Sequence, residues 1–345
     1  MNKKLIAAAI AAVVAAPAAV AADTTLYGKA HVSIQSNDNS PSDNYTVNSN
    51  ASRVGIKGSE DLGDGLKAIF KYEMGYNISD GGAASTPISA RSAYVGLSGS
   101  WGTFLAGRHD TPAKVAFYAS GTDFLGDSVI DMNKIGFTEV RADNAIAYIS
   151  PNMSGFTVAA AIVPGEQSGV RTTTTVFSPI GTTTNARHRN TNFNSANNLA
   201  DAYSLALIYG GGGLKVGIGY EVFTGDFNGG GAAKDQTMWQ VGASYTFGDF
   251  TVGANYEDKS DIGVAGDDRT VWGLAGKANF GNNFVVINYG EKDPSGAANK
   301  VKRFGIGVGH KFSKRTQVYA AYANQNNPVA TPDTSNFALG MIHTF

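Results

Sequence analysis

The sequence contains no cysteine and little charge. Because none of its 345 residues is Cys, a disulfide framework, a thiolate metal site and a cysteine nucleophile are excluded. Charged residues make up 16% of the chain, where soluble globular proteins carry about 25%. Lys and Arg number 27 and Asp and Glu 28, so no basic excess indicates a nucleic-acid partner. After Ala22 no apolar run reaches the ~18 residues of a membrane helix.

Glycine and aromatic residues are abundant. Glycine accounts for 43 residues and aromatic residues for 10% of the chain. The glycines lack the three-residue period of collagen. Few charges combined with many glycines and aromatics are typical of a β-rich protein whose surface is not entirely in water.

The N-terminus has the features of a secretory signal peptide in the required order. Lys3 and Lys4 form a basic start, residues 5–16 are apolar, and residues 19–21 read Ala-Val-Ala, a cleavage site of small residues. A buried N-terminal helix is the alternative, but it would not require this order. We therefore predict a signal peptide over residues 1–21, cleaved after Ala21 or Ala22, and a single domain over residues 22–345.

The body of the chain alternates with a period of two. In residues 304–312, Phe304, Ile306 and Val308 share one face while glycines and Lys311 share the other. The segments 214–221, 250–257 and 337–345 repeat the pattern. Each segment is about ten residues long, which suits a tilted strand that crosses a bilayer.

Short turns and longer polar segments alternate along the chain. Short turns are predicted at 61–65, 100–102, 151–155, 210–213, 247–249, 281–283 and 313–315. Longer segments are predicted at 37–49, 77–90, 109–139, 165–200, 224–235, 259–268, 292–300 and 326–334. This order predicts about sixteen antiparallel strands, with both termini on the short-turn side, which is periplasmic in bacterial outer-membrane barrels.

These patterns predict an all-β fold, a 16-stranded antiparallel transmembrane β-barrel. A backbone in lipid satisfies all its polar groups only if the sheet closes, and a barrel of this size encloses water. The apolar face should therefore meet lipid and the polar face should line the lumen. Aromatic residues next to the short turns should form an interfacial girdle: Trp101, Phe156, Tyr245, Phe247, Phe250, Phe280, Phe284, Phe312 and Phe345.

Several stretches resemble the general-diffusion porins of Gram-negative outer membranes. They are Leu-Tyr-Gly-Lys at 26–29, SRVGIKGSEDLG at 52–63 with GLKAIF at 65–70, RSAYVGL at 91–97, GTFLAGR at 102–108, YISPN at 148–152, and the terminal Phe345. The resemblance implies a homotrimer of 16-stranded barrels in contact with outer-membrane lipid and lipopolysaccharide. It also implies that the third long loop folds inward and narrows the pore, and that Phe345 belongs to an assembly signal.

The third long loop, residues 109–139, supplies the predicted acidic side of the constriction: Asp123, Asp127 and Asp131. It also carries apolar residues, including Phe117 and Ile135, which an infolded loop could pack on the barrel wall. The alternative is a compact surface loop with a small core of its own.

The resemblance places a basic cluster on the opposite wall, with Arg53, Arg91 and Arg141 as members and Lys29 and Arg108 as additional luminal charges. Alternation supports the inward direction of Arg53, because a lipid-facing Arg at mid-bilayer costs ~2–4 kcal/mol. The same alternation predicts Arg91 and Ala93 inward and Tyr94 outward. Acids facing arginines would create a transverse field that favours ions and polar solutes. The alternative is that these are ordinary luminal charges.

The predicted function is passive diffusion of ions and small hydrophilic solutes through a water-filled channel. A channel selective for a substrate such as an oligosaccharide is the alternative; it would need aromatic residues along the lumen. A barrel hydrolase, or a surface adhesin that binds through residues 165–200, is a third class. The five histidines lack metal-ligand spacing, and no nucleophile elbow or phosphate-binding motif is present. We therefore expect no enzyme activity, metal or cofactor. The ion preference does not follow from the sequence.

Overall fold

The computed structural model describes residues 23–38, 43–79, 87–165, 198–225, 234–262, 267–294, 300–327 and 332–345. The predicted signal peptide and most of the segment 165–200 lie outside these ranges. No helix among the described residues is long and apolar enough to cross a membrane.

Nearly all the described regular structure is β-strand. The strands are β1 (Asp23–Asp38), β2 (Asp43–Ser49), β3 (Arg53–Gly63), β4 (Leu66–Tyr76), β5 (Ile88–Gly99), β6 (Gly102–Asp110), β7 (Arg141–Ile149), β8 (Phe156–Val163), β9 (Ala202–Gly211), β10 (Leu214–Phe223), β11 (Gln236–Phe247), β12 (Phe250–Ile262), β13 (Asp267–Phe280), β14 (Asn283–Pro294), β15 (Val301–Lys311), β16 (Thr316–Asn326) and β17 (Thr334–Thr344). Between β6 and β7 lie helix α1 (Pro112–Ala119) and a 3₁₀ turn (Met132–Ile135).

The sheet is antiparallel and closes on itself. Each strand from β3 to β16 pairs with the next, and β17 pairs with β1. The first half of β1 pairs with β3 and its second half with β2. β2 and β3 are therefore one strand position, interrupted near Ala51, whose φ is 52°. The barrel has sixteen strand positions, which confirms the predicted 16-stranded antiparallel barrel.

The short turns lie where the sequence predicts them. Gly248 and Gly281 carry positive φ angles of 58° and 60° at two of these turns, a backbone conformation that glycine adopts without strain. The first longer segment was predicted as a loop over 37–49, and this is wrong in part. Residues 37–38 and 43–49 are strand, and the Asn37 amide donates to Asn44 Oδ1 at 2.9 Å. Strand pairing uses backbone groups, so polar residues extend the ladder beyond the apolar belt.

Exposed apolar side chains cover one face of the barrel wall. The alternation predicted for 304–312 is confirmed, since Phe304, Ile306 and Val308 are exposed while the intervening glycines are mostly buried. The predicted girdle residues are also exposed: Trp101, Phe156, Tyr245, Phe247, Phe250, Phe280, Phe312 and Phe345. Phe284 was predicted with them, and this is wrong. It is only 2% exposed, because Phe284 and Val286 share the opposite face while Ile287 is exposed.

A bulge inverts the predicted orientation of Tyr94. Tyr72 pairs with Ala93 and Met74 with Ala90, so two residues of β5 oppose Glu73. Beyond the bulge Val95 is 54% exposed, whereas Tyr94 packs near the buried Leu105. Tyr94 therefore faces inward, and the predicted inward direction of Ala93 is also wrong, because Ala93 shares the face of the exposed Val95. Alternation along β5 alone could not reveal this, because the register shift depends on the partner strand.

The last strand joins the first at a seam that includes Phe345. The Gly28 amide donates to Phe345 O at 3.0 Å, and the Phe345 amide donates to Gly28 O at 3.1 Å. The Phe345 ring lies over Gly28, where a β-carbon would fall 2.3 Å from the ring. Phe345 thus completes the backbone pairing that closes the barrel.

Deleting Phe345 is expected to lower the fraction of folded barrel, because the deletion removes two seam hydrogen bonds of about 1 kcal/mol each and the ring contact with Gly28. The measurement is the mobility of unheated and heated protein in a denaturing gel, which separates folded from unfolded barrels. Phe345→Tyr keeps the backbone and the ring and should fold like wild type. An equal folded fraction for the truncated chain would contradict the assignment.

Candidate functional site

The segment between β6 and β7, residues 111–140, lies against the face of the sheet opposite the exposed apolar side chains; we refer to it as the third-loop segment. Thr111 caps α1, with its Oγ1 accepting from the Lys114 amide at 3.3 Å, and Pro112 occupies the first turn. The Ala113 amide donates to Ser204 Oγ of β9 at 3.0 Å. A β-carbon on Gly217 of β10 would lie 1.9 Å from Ala116 O, so helix and strand backbones are in direct contact.

The remainder of the third-loop segment contacts strands farther around the barrel. Leu125, Val129 and Ile130 cluster with Phe284, Val286 and Tyr319 of β14 and β16. Met132, Ile135 and Phe137 cluster with Val271 of β13. Arg303 of β15 donates to Val129 O at 2.6 Å, and the Asn288 amide donates to Ile130 O. These partners extend from β9 to β16 and all belong to the same face of the sheet.

A buried carboxylate holds the end of the third-loop segment. Glu257 of β12 is fully buried and accepts from the Thr138 amide at 2.6 Å and from Thr138 Oγ1 at 2.7 Å. Arg269 of β13 donates to Glu257 Oε1 at 3.2 Å and to Thr138 Oγ1 at 3.0 Å. We call Glu257, Arg269 and Thr138 the Glu257 clamp.

Asp127 is the predicted acid that meets the basic wall. Its Oδ2 lies 2.6 Å from Lys29 Nζ of β1 and 3.9 Å from Arg53 Nη2 of β3. Burial alone would raise the pKa of Asp127, but Lys29, with Arg53, outweighs burial and holds that pKa below its ordinary value. Asp127 has a φ of 62°, a left-handed conformation that aspartate tolerates better than most residues.

Asp131 and Asp123 are turned into the third-loop segment itself. Asp131 caps the 3₁₀ turn, accepting from the Asn133 amide at 2.8 Å and from the Asp127 amide at 2.7 Å. Burial raises the pKa of Asp131 to about 6. Burial, and secondly the Asp131 carboxylate, raise the pKa of Asp123 well above its ordinary value. Neither acid forms an ion pair with a wall residue in the described part of the chain.

The remaining predicted basic residues pair with acids that the sequence analysis did not select. Arg91 Nε donates to Glu73 Oε1 at 2.5 Å. Arg141 pairs with Asp110 at 2.8 Å, and Arg108 pairs with Asp143. The structure therefore brings together Lys29, Arg53 and Asp127, but it pairs Arg91, Arg141 and Arg108 elsewhere.

Glu73 has a signal in the sequence that could have identified it. It stands between Tyr72 and Met74, which are exposed apolar residues, so alternation alone directs its carboxylate inward. The Tyr27 hydroxyl donates to Glu73 Oε2 at 2.8 Å, and Lys71 Nζ lies 3.4 Å from the same oxygen. Glu257 could be identified from the alternation along β12, because Val252 and Ala254 are exposed while Asn255 and Glu257 lie on the opposite, buried face.

Basic side chains outnumber acidic ones on the inward face of the described strands. The acidic ones include Glu73, Asp110, Asp143, Glu221 and Glu257, and Asp23 and Asp61 share this face at the short-turn end. The basic ones include Lys29, Arg53, Lys57, Lys67, Lys71, Arg91, Arg108, Arg141, Lys215, Lys259, Arg269, Lys277, Lys292, Arg303 and Lys311. Basic side chains are therefore in excess on the inner wall, although the whole chain has a net charge of −1.

The known proteins that this chain resembles in sequence are outer-membrane porins. The family described as Gram-negative porin matches residues 7–329. An outer membrane porin protein of Bordetella pertussis is 31% identical over 272 residues, 72% of this chain and 66% of that protein. The major outer membrane protein P.IB of Neisseria gonorrhoeae is 35% identical over 183 residues, 49% of this chain and 50% of that protein. The alignments thus span about half to two thirds of these relatives.

Two solved structures share the fold. An anion-selective porin from Comamonas acidovorans superimposes with a TM-score of 0.74 at 22% identity, covering 94% of this chain and all (100%) of that one. OmpF of Salmonella typhi, solved in complex with daunomycin, gives a TM-score of 0.70 at 14% identity, with 93% and 97% coverage.

Proposed function

The chain belongs to the Gram-negative porin family, and on that premise we propose that it forms a water-filled channel for passive diffusion of ions and small hydrophilic solutes, with a preference for anions. Its relatives are outer-membrane porins and its sheet is a closed barrel, so it is an outer-membrane β-barrel protein. Both termini lie on the short-turn side in this proposal, facing the periplasm.

The observation that carries the proposal is the inner face of the barrel. This face presents polar and charged side chains, and the third-loop segment lies along it with contacts from β9 to β16 and, through Asp127, to β1 and β3. A segment outside a closed sheet could not contact these strands together. We propose that the third-loop segment folds inward and narrows the pore, with Lys29, Arg53 and Asp127 at the constriction. Arg91, Arg141, Arg108, Asp123 and Asp131 contribute to the field around it.

The anion preference follows from the excess of basic side chains on the inner wall. Fixed charges lining a pore attract ions of the opposite sign and tune selectivity. Of the acids in the third-loop segment, Asp127 is paired with Lys29 and Arg53, and Glu139 is paired with Lys114. Asp131 is turned into the segment itself, where it accepts from two backbone amides. The structural neighbour from Comamonas acidovorans is named as anion-selective, which supports this preference.

Assembly as a homotrimer in contact with outer-membrane lipid and lipopolysaccharide belongs to the same proposal. One structural neighbour, an outer membrane protein of Vibrio cholerae, is described in its trimer form.

Passive diffusion requires no chemical step, so we infer that the protein is not an enzyme.

Planar bilayers containing the purified protein test this function. We expect ohmic single-channel currents. Across a KCl gradient, the reversal potential should have the sign of the chloride equilibrium potential. A reversal potential set by potassium would contradict the anion preference. Block of the current by micromolar sugar would favour an oligosaccharide-selective channel, and absence of current would favour the hydrolase or adhesin class.

A further inference from the structure

Two lysines converge on one aromatic ring near the short-turn end of the lumen. Lys277 Nζ of β13 lies 5.2 Å from the centroid of the Phe284 ring, and Lys311 Nζ of β15 lies 5.8 Å from the same centroid. Phe284 belongs to β14, between these two strands. Its ring covers Gly309, where a β-carbon would fall 2.2 Å from the ring, so only glycine at this position leaves room for it.

Residues of the third-loop segment also contact Lys277 and Phe284. Lys277 Nζ lies 5.9 Å from the centroid of the Phe124 ring, and Leu125 packs in the same cluster as Phe284. Both lysines are half-buried, so their ammonium groups remain within reach of water in the lumen. Neither ammonium forms an ion pair with any carboxylate of the described residues.

A second group of the same design provides an internal comparison. Lys57 and Lys71 lie 5.4 Å and 5.7 Å from the centroid of the Tyr27 ring. There the carboxylate of Glu73 lies 3.4 Å from Lys71 and accepts from the Tyr27 hydroxyl. The two lysines around Tyr27 therefore have a carboxylate beside them, that of Glu73. The two lysines around Phe284 have no carboxylate partner among the described residues.

We propose that Lys277, Lys311 and Phe284 form a binding site for small oxyanions of the inorganic phosphate class, between the third-loop segment and the short-turn end of the lumen. Two ammonium groups that share one ring repel each other, and an oxyanion within reach of both would replace that repulsion with two attractions. Charge-assisted hydrogen bonds from ammonium to oxyanion are short and strong. Strand pairing fixes the two lysine backbones, so only the side chains have to adjust when the anion binds.

This inference rests on the proposed channel function and extends it, because a bound oxyanion in the lumen should slow other anions. The test is a titration of inorganic phosphate at pH 7.5 and constant ionic strength while single-channel chloride current is recorded from the intact protein. Wild type should show a saturable decrease in current. In K277M/K311M, the phosphate concentration for half of that decrease should rise at least about fivefold.

The matched control is Lys71→Met, which removes a luminal lysine that already has a carboxylate partner. Its half-effect concentration should stay within about twofold of wild type. Lys277→Arg with Lys311→Arg keeps both charges and should retain the phosphate effect, and the gel mobility of unheated protein verifies folding of each variant. If K277M/K311M responds like wild type, or if Lys71→Met loses the effect equally, the site is overturned.

The outcomes separate the two proposals. A wild-type channel that conducts anions but shows no saturable response to phosphate overturns the site and leaves the channel function standing. A wild-type protein that conducts no current overturns the channel function and this inference with it.

Discussion

Replacing Asp127 with asparagine is expected to make the channel several-fold more selective for anions. The Asp127 carboxylate compensates Lys29 at 2.6 Å and Arg53 at 3.9 Å, and Asp127→Asn leaves both cations without a partner. A change in local electrostatic energy of about 1 kcal/mol corresponds to roughly a fivefold change in the chloride-to-potassium permeability ratio. The measurement is the reversal potential across a KCl gradient. The shift should shrink as salt rises, because the screening length falls to ~10 Å at 0.1 M.

Asp131→Asn is the matched comparison, since it removes the same charge from a residue four positions along the chain. Asp131 is buried in the third-loop segment, where its oxygens accept from the amides of Asp127 and Asn133. This variant should therefore change selectivity much less than Asp127→Asn. Equal shifts for both variants would show that Asp131 also lines the constriction. A shift of Asp127→Asn toward cations would contradict its pairing with Lys29.

Much of the barrel could be predicted from sequence because its rules are local. The alternation in residues 304–312 depends only on neighbouring positions, and glycine at a turn such as Gly248 depends only on backbone conformation. The exceptions arise where another part of the chain intervenes. Tyr94 faces inward because β4 shifts register at Glu73, and Phe284 is buried because the third-loop segment covers it.

The site was less predictable than the barrel for the same physical reason. Lys29 and Asp127 are 98 positions apart in the sequence, and only the closed barrel with the third-loop segment brings them to 2.6 Å. The resemblance predicts Arg91 as a luminal charge, but it does not identify the partner of Arg91. Glu73 occupies the adjacent strand and takes the ion pair. Motif position identifies a luminal charge, whereas its field depends on which opposite charge lies next to it.

The second large effect is expected at the Glu257 clamp. Glu257→Ala removes the acceptor for both Thr138 donors and leaves Arg269 without its carboxylate. Breaking a buried ion pair costs about 3–5 kcal/mol, and the lower end applies here because Arg269 keeps access to water in the lumen. The strands of the barrel do not depend on this contact. The substitution therefore weakens the attachment of the third-loop segment to the barrel wall rather than the barrel itself. We expect a folded barrel with a larger and noisier single-channel current.

Glu291→Ala is the control for this change. Glu291 also lies on the barrel wall, but it pairs with Lys300, whose side chain is half exposed, and such surface pairs contribute little to stability. Its current should match wild type. Thr138→Val, which removes one hydroxyl and keeps the backbone amide, should give an intermediate increase in noise, because one of the two hydrogen bonds to Glu257 remains. If Glu257→Ala conducts as quietly as wild type, the apolar contacts of Ile130 and Ile135 with the wall are sufficient to hold the third-loop segment, and the clamp does not determine the width of the pore.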